Sequence, residues 1–220
     1  MNMPDKLIGD DVIKARLDSF ESQETFRKLL DAFSRPGTIE LLPRSVAGRL
    51  PGGLIPLLAM LGHGSPFAVL GDSDFFFASR RRHTTGARAV NLREASYVAV
   101  LGAATASTFA EIPTGSNARP DFAAHVAIGI GGTLVDSHDF EDEPTNHLRL
   151  SLRGPGVPDE RAICVVDPDD HLLHLLAARP QPGPCGFDIW ILDQRGRLVG
   201  IPRSSSLHIG THLEQSIGDQ

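Results

Sequence analysis

Arginine and hydroxyl side chains meet at the end of a predicted C-terminal hairpin, where together they could hold an anion. Two apolar runs within residues 186–204 flank a turn that ends in Gly196, which is the pattern of a β-hairpin. Pro202 must end the second strand because it cannot donate a hydrogen bond to the ladder. Arg203 then leaves the sheet beside Ser204, and a guanidinium next to hydroxyls suits phosphate or phosphonate oxygens.

Two further arginines, Arg27 and Arg35, lie on and just beyond a predicted N-terminal helix. Apolar residues recur at helical spacing over residues 20–33, and either Ser19 or Ser22 is expected to cap the helix. A type II turn is predicted to follow. The two arginines have two interpretations. They solvate the helix and cap its last carbonyls, or they point into one anion pocket together with the hairpin arginine.

The strongest cationic cluster is a loop that ends in glycine and contains arginines 80–82, His83 and Thr84. Such a loop could hold a phosphate through charge-assisted hydrogen bonds. The alternative is a solvated charged turn.

Two histidines three residues apart, His171 and His174, fall on a predicted helix that Asp167 should cap. That spacing can place two imidazoles toward one metal ion, and with Asp167 and Asp170 they would serve a stand-alone phosphate-ester hydrolase or transferase. The leucines around His174 favour a half-buried, hydrogen-bonded imidazole instead, so no metal is expected. The glycine-rich stretch 129–132 matches no complete phosphate-loop pattern and is interpreted as a plain turn.

Composition predicts one globular domain over residues 1–220, with residues 1–18 as a partly ordered arm. The chain is 41% hydrophobic, and its formal net charge of -6 with no basic face argues against nucleic acid as a partner. The N-terminus lacks a signal-peptide layout, and the longest apolar stretch, 95–112, is too polar to cross a membrane. Cys164 and Cys185 form no CxxC pair, so a reduced, cytoplasmic protein is expected.

The basic residues are almost all arginine, because Lys6, Lys14 and Lys28 are the three lysines. A GC-rich coding bias explains this, as does planar recognition of phosphate or phosphonate oxygens. In either case, a Schiff-base lysine after residue 28 is excluded.

Strand-like and helix-like segments alternate along the chain, which favours an α/β layered domain. The predicted strands are 38–42, 67–70, 97–101, 124–130 and 148–152, and further helices are predicted over 54–61 and 167–179.

Several short motifs follow one another in order over residues 20–210. They are residues 25–37, His83-Thr84, Leu150 with 154–157, 186–189 and 201–205. Together they resemble the PhnH family of the bacterial carbon–phosphorus lyase system. Serines replace the usual threonines after Pro202-Arg203, and Pro184-Cys185 precedes the hairpin glycine in place of the usual Pro-Leu. These changes keep hydroxyl and apolar character.

The resemblance implies a three-layer α/β/α sandwich with a mixed sheet, similar to the large domain of PLP-dependent transferases but without PLP or any other cofactor. It implies a homodimer that joins the core subunits PhnG, PhnI and PhnJ, with a phosphonate or nucleotide as a further partner. The assembly replaces the adenine of ATP with a phosphonate to give ribose 1-phosphonate 5-triphosphate. The chain would be a structural or ligand-positioning subunit, and its expected anion-binding residues are Arg27, Arg35, His83, Thr84, Arg203 and Ser204.

Overall fold

The computed structural model describes residues 16–71, 85–102, 105–138, 146–169, 172, 176–177, 179–180 and 183–211. The helices are α1 (Ser19–Ser34), α2 (Ile55–Met60) and α3 (Ala106–Phe109), and the strands are β1 (Glu40–Leu41), β2 (Pro66–Leu70), β3 (Arg88–Ala89), β4 (Tyr97–Val100), β5 (His125–Gly129), β6 (Thr133–Asp136), β7 (His147–Arg153), β8 (Arg161–Val166), β9 (Asp188–Leu192), β10 (Arg197–Ile201) and β11 (Ser206–Thr211).

The described strands form two sheets. The larger is a seven-stranded mixed sheet in the order β1-β10-β9-β5-β4-β2-β3. The strands from β9 to β3 are parallel, and β10 pairs antiparallel with both of its neighbours, β9 and β1. The smaller is a four-stranded antiparallel sheet in the order β11-β7-β8-β6. The chain is therefore an α/β protein with a large mixed sheet and few helices.

The central strands of the large sheet are buried on both faces, as expected for parallel strands with cover on both sides. In β5, Val126 and Ile128 pack against the small sheet, whereas Ala127 between them packs against α1 and α2. One face of the large sheet is thus covered by helices. On the other face, the described residues form mainly a second sheet, with α3 beside it. The sequence did not predict β6, β8 or β11, and so it did not predict this second sheet.

Helix α1 begins at a capping box that the sequence prediction missed. The side chain of Asp18 accepts from the backbone N–H of Glu21, and the Glu21 carboxylate accepts from the Asp18 N–H. The prediction of Ser19 or Ser22 as cap is wrong, because Asp18 offers a charged acceptor at the right position. The predicted turn after the helix is confirmed by a 3.0 Å hydrogen bond from Thr38 N–H to the Arg35 carbonyl and by the Gly37 φ of 77°.

The predicted C-terminal hairpin is confirmed, with β9 and β10 joined by a tight turn. Gly196 has a φ of 79°, and the buried carboxylate of Asp193 accepts from the N–H groups of Arg195 and Arg197 at 2.8 and 2.9 Å. Strand β10 ends just before Pro202, as expected. The chain then passes directly into β11, which pairs with β7. The segment 202–205 therefore links the large sheet to the small one.

The predicted helix over 167–179 lies partly outside the described residues, although Leu172, Leu176 and Ala177 are helical. Asp167 is not its cap, since its φ of 51° is left-handed, whereas cap residues adopt extended backbone. The turn predicted at 129–132 is present between β5 and β6, and its Gly131 N–H donates to the Asp169 carboxylate.

Candidate functional site

Three polar or aromatic side chains lie side by side where parallel strands of the large sheet begin. Tyr97, His125 and Asp188 are register partners on β4, β5 and β9. Side chains at paired positions point to the same face, so the three form a row on the face that the helices cover. Trp190, two residues after Asp188, lies on that face as well. The sequence prediction did not include His125 or Asp188, because their proximity depends on the strand order.

The Asp188 carboxylate and the Arg203 guanidinium form the central ion pair of this site. Arg203 Nη2 lies 2.5 Å from Asp188 Oδ2, Nε lies 3.2 Å from both carboxylate oxygens, and the Arg203 backbone N–H donates to Oδ1 at 2.8 Å. Arg203 Nη1 donates to the Pro120 carbonyl at 2.6 Å. The two side chains are 13% and 19% exposed. All three guanidinium nitrogens of Arg203 therefore have hydrogen-bond partners within the protein.

His125 lies next to this ion pair within a row of rings. Its ring centroid is 5.8 Å from that of Tyr97 and 5.5 Å from that of Trp190, and Phe33 of α1 stacks on Trp190 at 4.5 Å. Nδ1 lies 3.5 Å from Asp188 Oδ2 and is buried, but it makes no hydrogen bond. We therefore regard this approach as a contact between a neutral ring and a carboxylate.

The pKa of His125 is lowered below its ordinary value. Burial of the imidazole is the main cause and the Arg203 charge adds to it, whereas the Asp188 carboxylate acts in the opposite direction. The ring is therefore neutral near pH 7, and it can accept or donate one hydrogen bond on either nitrogen.

Helix α1 is anchored to the sheet edge by a second ion pair, which involves Arg35. The Glu40 carboxylate on β1 accepts from Lys28 at 2.9 Å and from Arg35 at 2.7 Å, and its side chain is only 9% exposed. Arg27 lies on the exposed surface of α1, with no ion pair among the described residues. No described contact joins Arg27 or Arg35 to Arg203, and whether the three share an anion stays a prediction.

Arg179 also holds the loop after β10, through hydrogen bonds to two of its backbone carbonyls. Its Nη1 donates to the Ser205 carbonyl at 2.9 Å and its Nη2 donates to the Pro202 carbonyl. Arg179 is buried, and burial lowers its pKa while the charge of Asp188 opposes that shift. The predicted site residue Ser204 is exposed, whereas its neighbour Ser205 is fully buried. The sequence prediction gave Arg179 no role in the site and placed it only at the end of the predicted helix 167–179.

One glycine-bearing segment, residues 154–156, contacts two parts of this region that are distant from it in sequence. A methyl group on Gly154 would lie 3.0 Å from Cα of Ser205, and one on Gly156 would lie 3.1 Å from the carbonyl oxygen of Ser34. Residues 154–156 thus pass between the end of α1 and the loop after β10. Only glycine allows the backbone to approach so closely.

Other predicted site residues lie outside the described part of the chain. These are arginines 80–82, His83, Thr84, Asp170, His171 and His174. Among the residues that the structure does describe, no group of three metal-ligating side chains is close enough to hold a metal ion. None of the described helices is long and apolar enough to cross a bilayer.

Taken together, the fold and site define an α/β protein whose central arginines are held by internal acidic and carbonyl partners. The family model described as bacterial phosphonate metabolism protein (PhnH) matches residues 16–208. The chain therefore belongs to the PhnH family, and its place in bacterial phosphonate metabolism follows from that membership. This confirms the resemblance seen in the sequence motifs. A search of curated proteins finds no match to the chain.

Proposed function

We propose that this chain is a subunit of the bacterial carbon–phosphorus lyase core complex in organic phosphonate catabolism. In this proposal it is required for the step that replaces the adenine of ATP with a phosphonate, giving ribose 1-phosphonate 5-triphosphate. The observation that carries the proposal is the family match over residues 16–208, nearly the whole chain. The partners would be PhnG, PhnI, PhnJ and a second copy of this chain, in the cytoplasm, where ATP is available.

Within that assembly, the chain would be a structural or ligand-positioning subunit. Two of the expected anion-binding arginines support this role, since Arg203 is paired with Asp188 and Arg35 with Glu40. The Arg203 pair, which is largely buried, leaves little of that guanidinium for chemistry. Arg27 differs because it is exposed and has no described ion pair. It would contact an acidic group of a partner subunit or a ligand oxygen.

The proposal extends to the fold relationship with the large domain of PLP-dependent transferases, a three-layer α/β/α sandwich, without the cofactor. The run of five parallel strands from β9 to β3 supports it. The sequence adds that no lysine follows Lys28, so no lysine is available on these strands to hold PLP as a Schiff base.

The test is affinity purification of the tagged, full-length chain from phosphate-starved cells grown on methylphosphonate. The expected result is recovery of PhnG, PhnI and PhnJ in constant proportion with the tagged chain. The matched control is the same purification from cells that carry the tag alone. Recovery of the folded chain without any of the three subunits would contradict the proposal.

A further inference from the structure

The imidazole of His125 is held in one orientation by its neighbours. It lies between the rings of Tyr97 and Trp190, which are nearly parallel to it at interplanar angles of 24° and 27°. Phe33 of α1 packs close by, at a centroid distance of 6.2 Å. Because β4, β5 and β9 are paired in a fixed register, the ring has little freedom to turn.

The two ring nitrogens of His125 have different surroundings. Nδ1 is buried and lies 3.5 Å from Asp188 Oδ2. Nε2 is not buried, since the side chain is 32% exposed, and no described group makes a hydrogen bond to this nitrogen. One nitrogen is therefore directed into the protein, toward a carboxylate, and the other reaches solvent.

The Asp188 carboxylate determines which nitrogen of His125 carries the hydrogen. A neutral imidazole has one N–H group and one lone pair. A lone pair on Nδ1 would be repelled by the carboxylate, whereas an N–H group there is attracted to it. The separation of 3.5 Å is longer than a hydrogen bond, which is usual for such a pair before a ligand binds. Nδ1 therefore carries the hydrogen, and Nε2 carries the lone pair.

Asp188 is itself fixed in place, and its charge is balanced. Its carboxylate accepts from the backbone N–H and the guanidinium of Arg203. Asp188 and Arg203 are the charged groups that act on His125 among the residues described, and they neutralise each other. The surroundings of Nε2 therefore offer no free cation to hold an anion. A neutral O–H group is the ligand group that this lone pair suits.

We propose that His125 and Asp188 form a base dyad, in which His125 Nε2 accepts the proton of a neutral hydroxyl on a bound ligand and Asp188 positions the ring. In this step the O–H bond of the ligand breaks, the oxygen keeps the electron pair, and an Nε2–H bond forms. The resulting imidazolium has its Nδ1–H beside the Asp188 carboxylate, which stabilises the new charge. The half-buried rings of Phe33 and Tyr97 provide an apolar rim for the ligand. This inference goes beyond the proposed function, which gives the chain no proton-transfer chemistry.

The first measurement is the tautomer of His125 in the purified, full-length protein near pH 7. Labelling with ¹⁵N-histidine and long-range ¹H–¹⁵N correlation distinguish a protonated from an unprotonated ring nitrogen. The His125 signals are identified as those missing from the spectrum of His125→Gln. We expect a hydrogen on Nδ1 and none on Nε2. A hydrogen on Nε2 alone, or on both nitrogens, would overturn the proposal without reference to any variant's activity.

The second measurement is the rate of methylphosphonate consumption by cells that carry His125→Gln. Glutamine places an amide oxygen near the position of Nε2, so it can accept a hydrogen bond but cannot take a proton. Loss of a general base should slow consumption by about 10²-fold or more. His138→Gln is the matched control, because His138 is exposed, and it should behave as wild type. Consumption at the wild-type rate by His125→Gln would overturn the proton-transfer role.

The two measurements also separate this inference from the proposed function. Slow consumption by a His125→Gln chain that still recovers PhnG, PhnI and PhnJ would support the base dyad. If the variant lost these subunits in proportion to its loss of consumption, the effect would be one of assembly, and the proton-transfer role would be contradicted. Failure of the wild-type chain to recover the subunits would contradict the assembly role alone, since the tautomer is measured on the isolated chain.

Discussion

Asp188 and Arg203 lie at the two ends of the C-terminal hairpin and are joined by three side-chain contacts and one backbone hydrogen bond. Asp188 opens β9, and Arg203 follows the end of β10, so their pairing closes the hairpin at its base. The same guanidinium reaches the Pro120 carbonyl just before β5. One ion pair thus holds together the hairpin, the loop after it and the segment that leads into the central strand.

The first prediction is that Asp188→Asn strongly destabilises the protein. The variant leaves the largely buried Arg203 without its counter-charge, and removal of one partner of a buried pair costs about 3–5 kcal/mol. Urea unfolding followed by fluorescence of Trp190, the one tryptophan in the sequence, measures the free energy of unfolding. Asp121→Asn is the matched control, because the side chains of Arg119 and Asp121 are 57% and 62% exposed and such a surface pair contributes little to stability. Equal effects of the two variants would contradict the structural role of Asp188.

The second prediction concerns pH. The pKa of His125 is lowered in the folded protein, whereas in the unfolded chain it is about 6.5. At pH values between the folded and the unfolded pKa, His125 therefore binds more protons in the unfolded chain than in the folded protein. The contribution of His125 to stability is therefore present above pH 6.5 and is lost as the pH falls through the folded pKa. In His125→Phe, the free energy of unfolding should change less between pH 7 and pH 5 than in wild type.

The matched control for this pH dependence is His138→Gln, since His138 is exposed. Its profile should follow the wild-type profile. A His125→Phe variant with the same slope as wild type would show that His125 titrates alike in the folded and unfolded chain.

The third prediction is that Glu40→Gln loosens the attachment of α1 to the sheet edge. The change removes the acceptor charge for Lys28 and Arg35, and hydrogen bonds to charged groups contribute about 1.5–3 kcal/mol. We expect a loss in the free energy of unfolding near the lower end of this range, because Lys28 and Arg35 can both be hydrated in the variant. Trp190 reports on the change directly, since its Nε1 donates to the Leu29 carbonyl in α1.

The control for Glu40 is Glu111→Gln, because the pair of Glu111 with Arg93 is exposed at 45% and 74%. That variant should stay within about 0.5 kcal/mol of wild type. A loss in Glu111→Gln as large as that in Glu40→Gln would argue against a special role for the sheet-edge pair.

The fourth prediction is that Gly156→Ala destabilises the protein. The added methyl group would meet the Ser34 carbonyl at 3.1 Å and Pro36 Cδ at 3.2 Å, and the φ of 81° is itself unfavourable for alanine by about 1–2 kcal/mol. Urea unfolding should show a loss in the free energy of unfolding of at least about 1–2 kcal/mol. Gly62→Ala is the control, since its methyl group would meet nothing within 4 Å. If the two variants were equally stable, residues 154–156 would not be closely packed against the end of α1.

The fifth prediction follows from the proposed function. Arg27→Ala should leave the free energy of unfolding unchanged, because the side chain is exposed and makes no described ion pair. It should reduce the recovery of partner subunits, or growth on methylphosphonate, by about tenfold, equivalent to about 1.4 kcal/mol. Arg195→Ala is the matched exposed control. Wild-type recovery and growth of Arg27→Ala would remove Arg27 from the functional surface.

The sequence predicted those parts of the fold that depend on local signals. Helix α1, the turn at Pro36-Gly37 and the C-terminal hairpin follow from apolar periodicity and from proline and glycine positions. Strand β11 was missed because its sequence, Ser206 to Thr211, has few of the residues that mark a strand. Its position is determined by pairing with β7, which no local pattern reveals.

For the site, the sequence identified Arg203 but not what it binds. An arginine beside serines suggests that Arg203 binds the anionic group of a ligand. In the structure, Arg203 binds instead the carboxylate of Asp188 in the same chain. That partner lies at the opposite end of a hairpin, 15 residues away. His125 joins the site only because β5 lies beside β9 in the sheet order, and such a non-local relationship cannot be inferred from periodicity.

The short link between β10 and β11 also has a consequence for the order of folding during synthesis. Strand β9 completes the parallel core of the large sheet beside β5, and β11 completes the edge of the small sheet. The large sheet is therefore incomplete until β9 and β10 have been synthesised, and the small sheet is incomplete until residue 211. Until β9 is available, the apolar strand β5 lacks its neighbour on one side, and such an unpaired strand makes the nascent chain prone to aggregation.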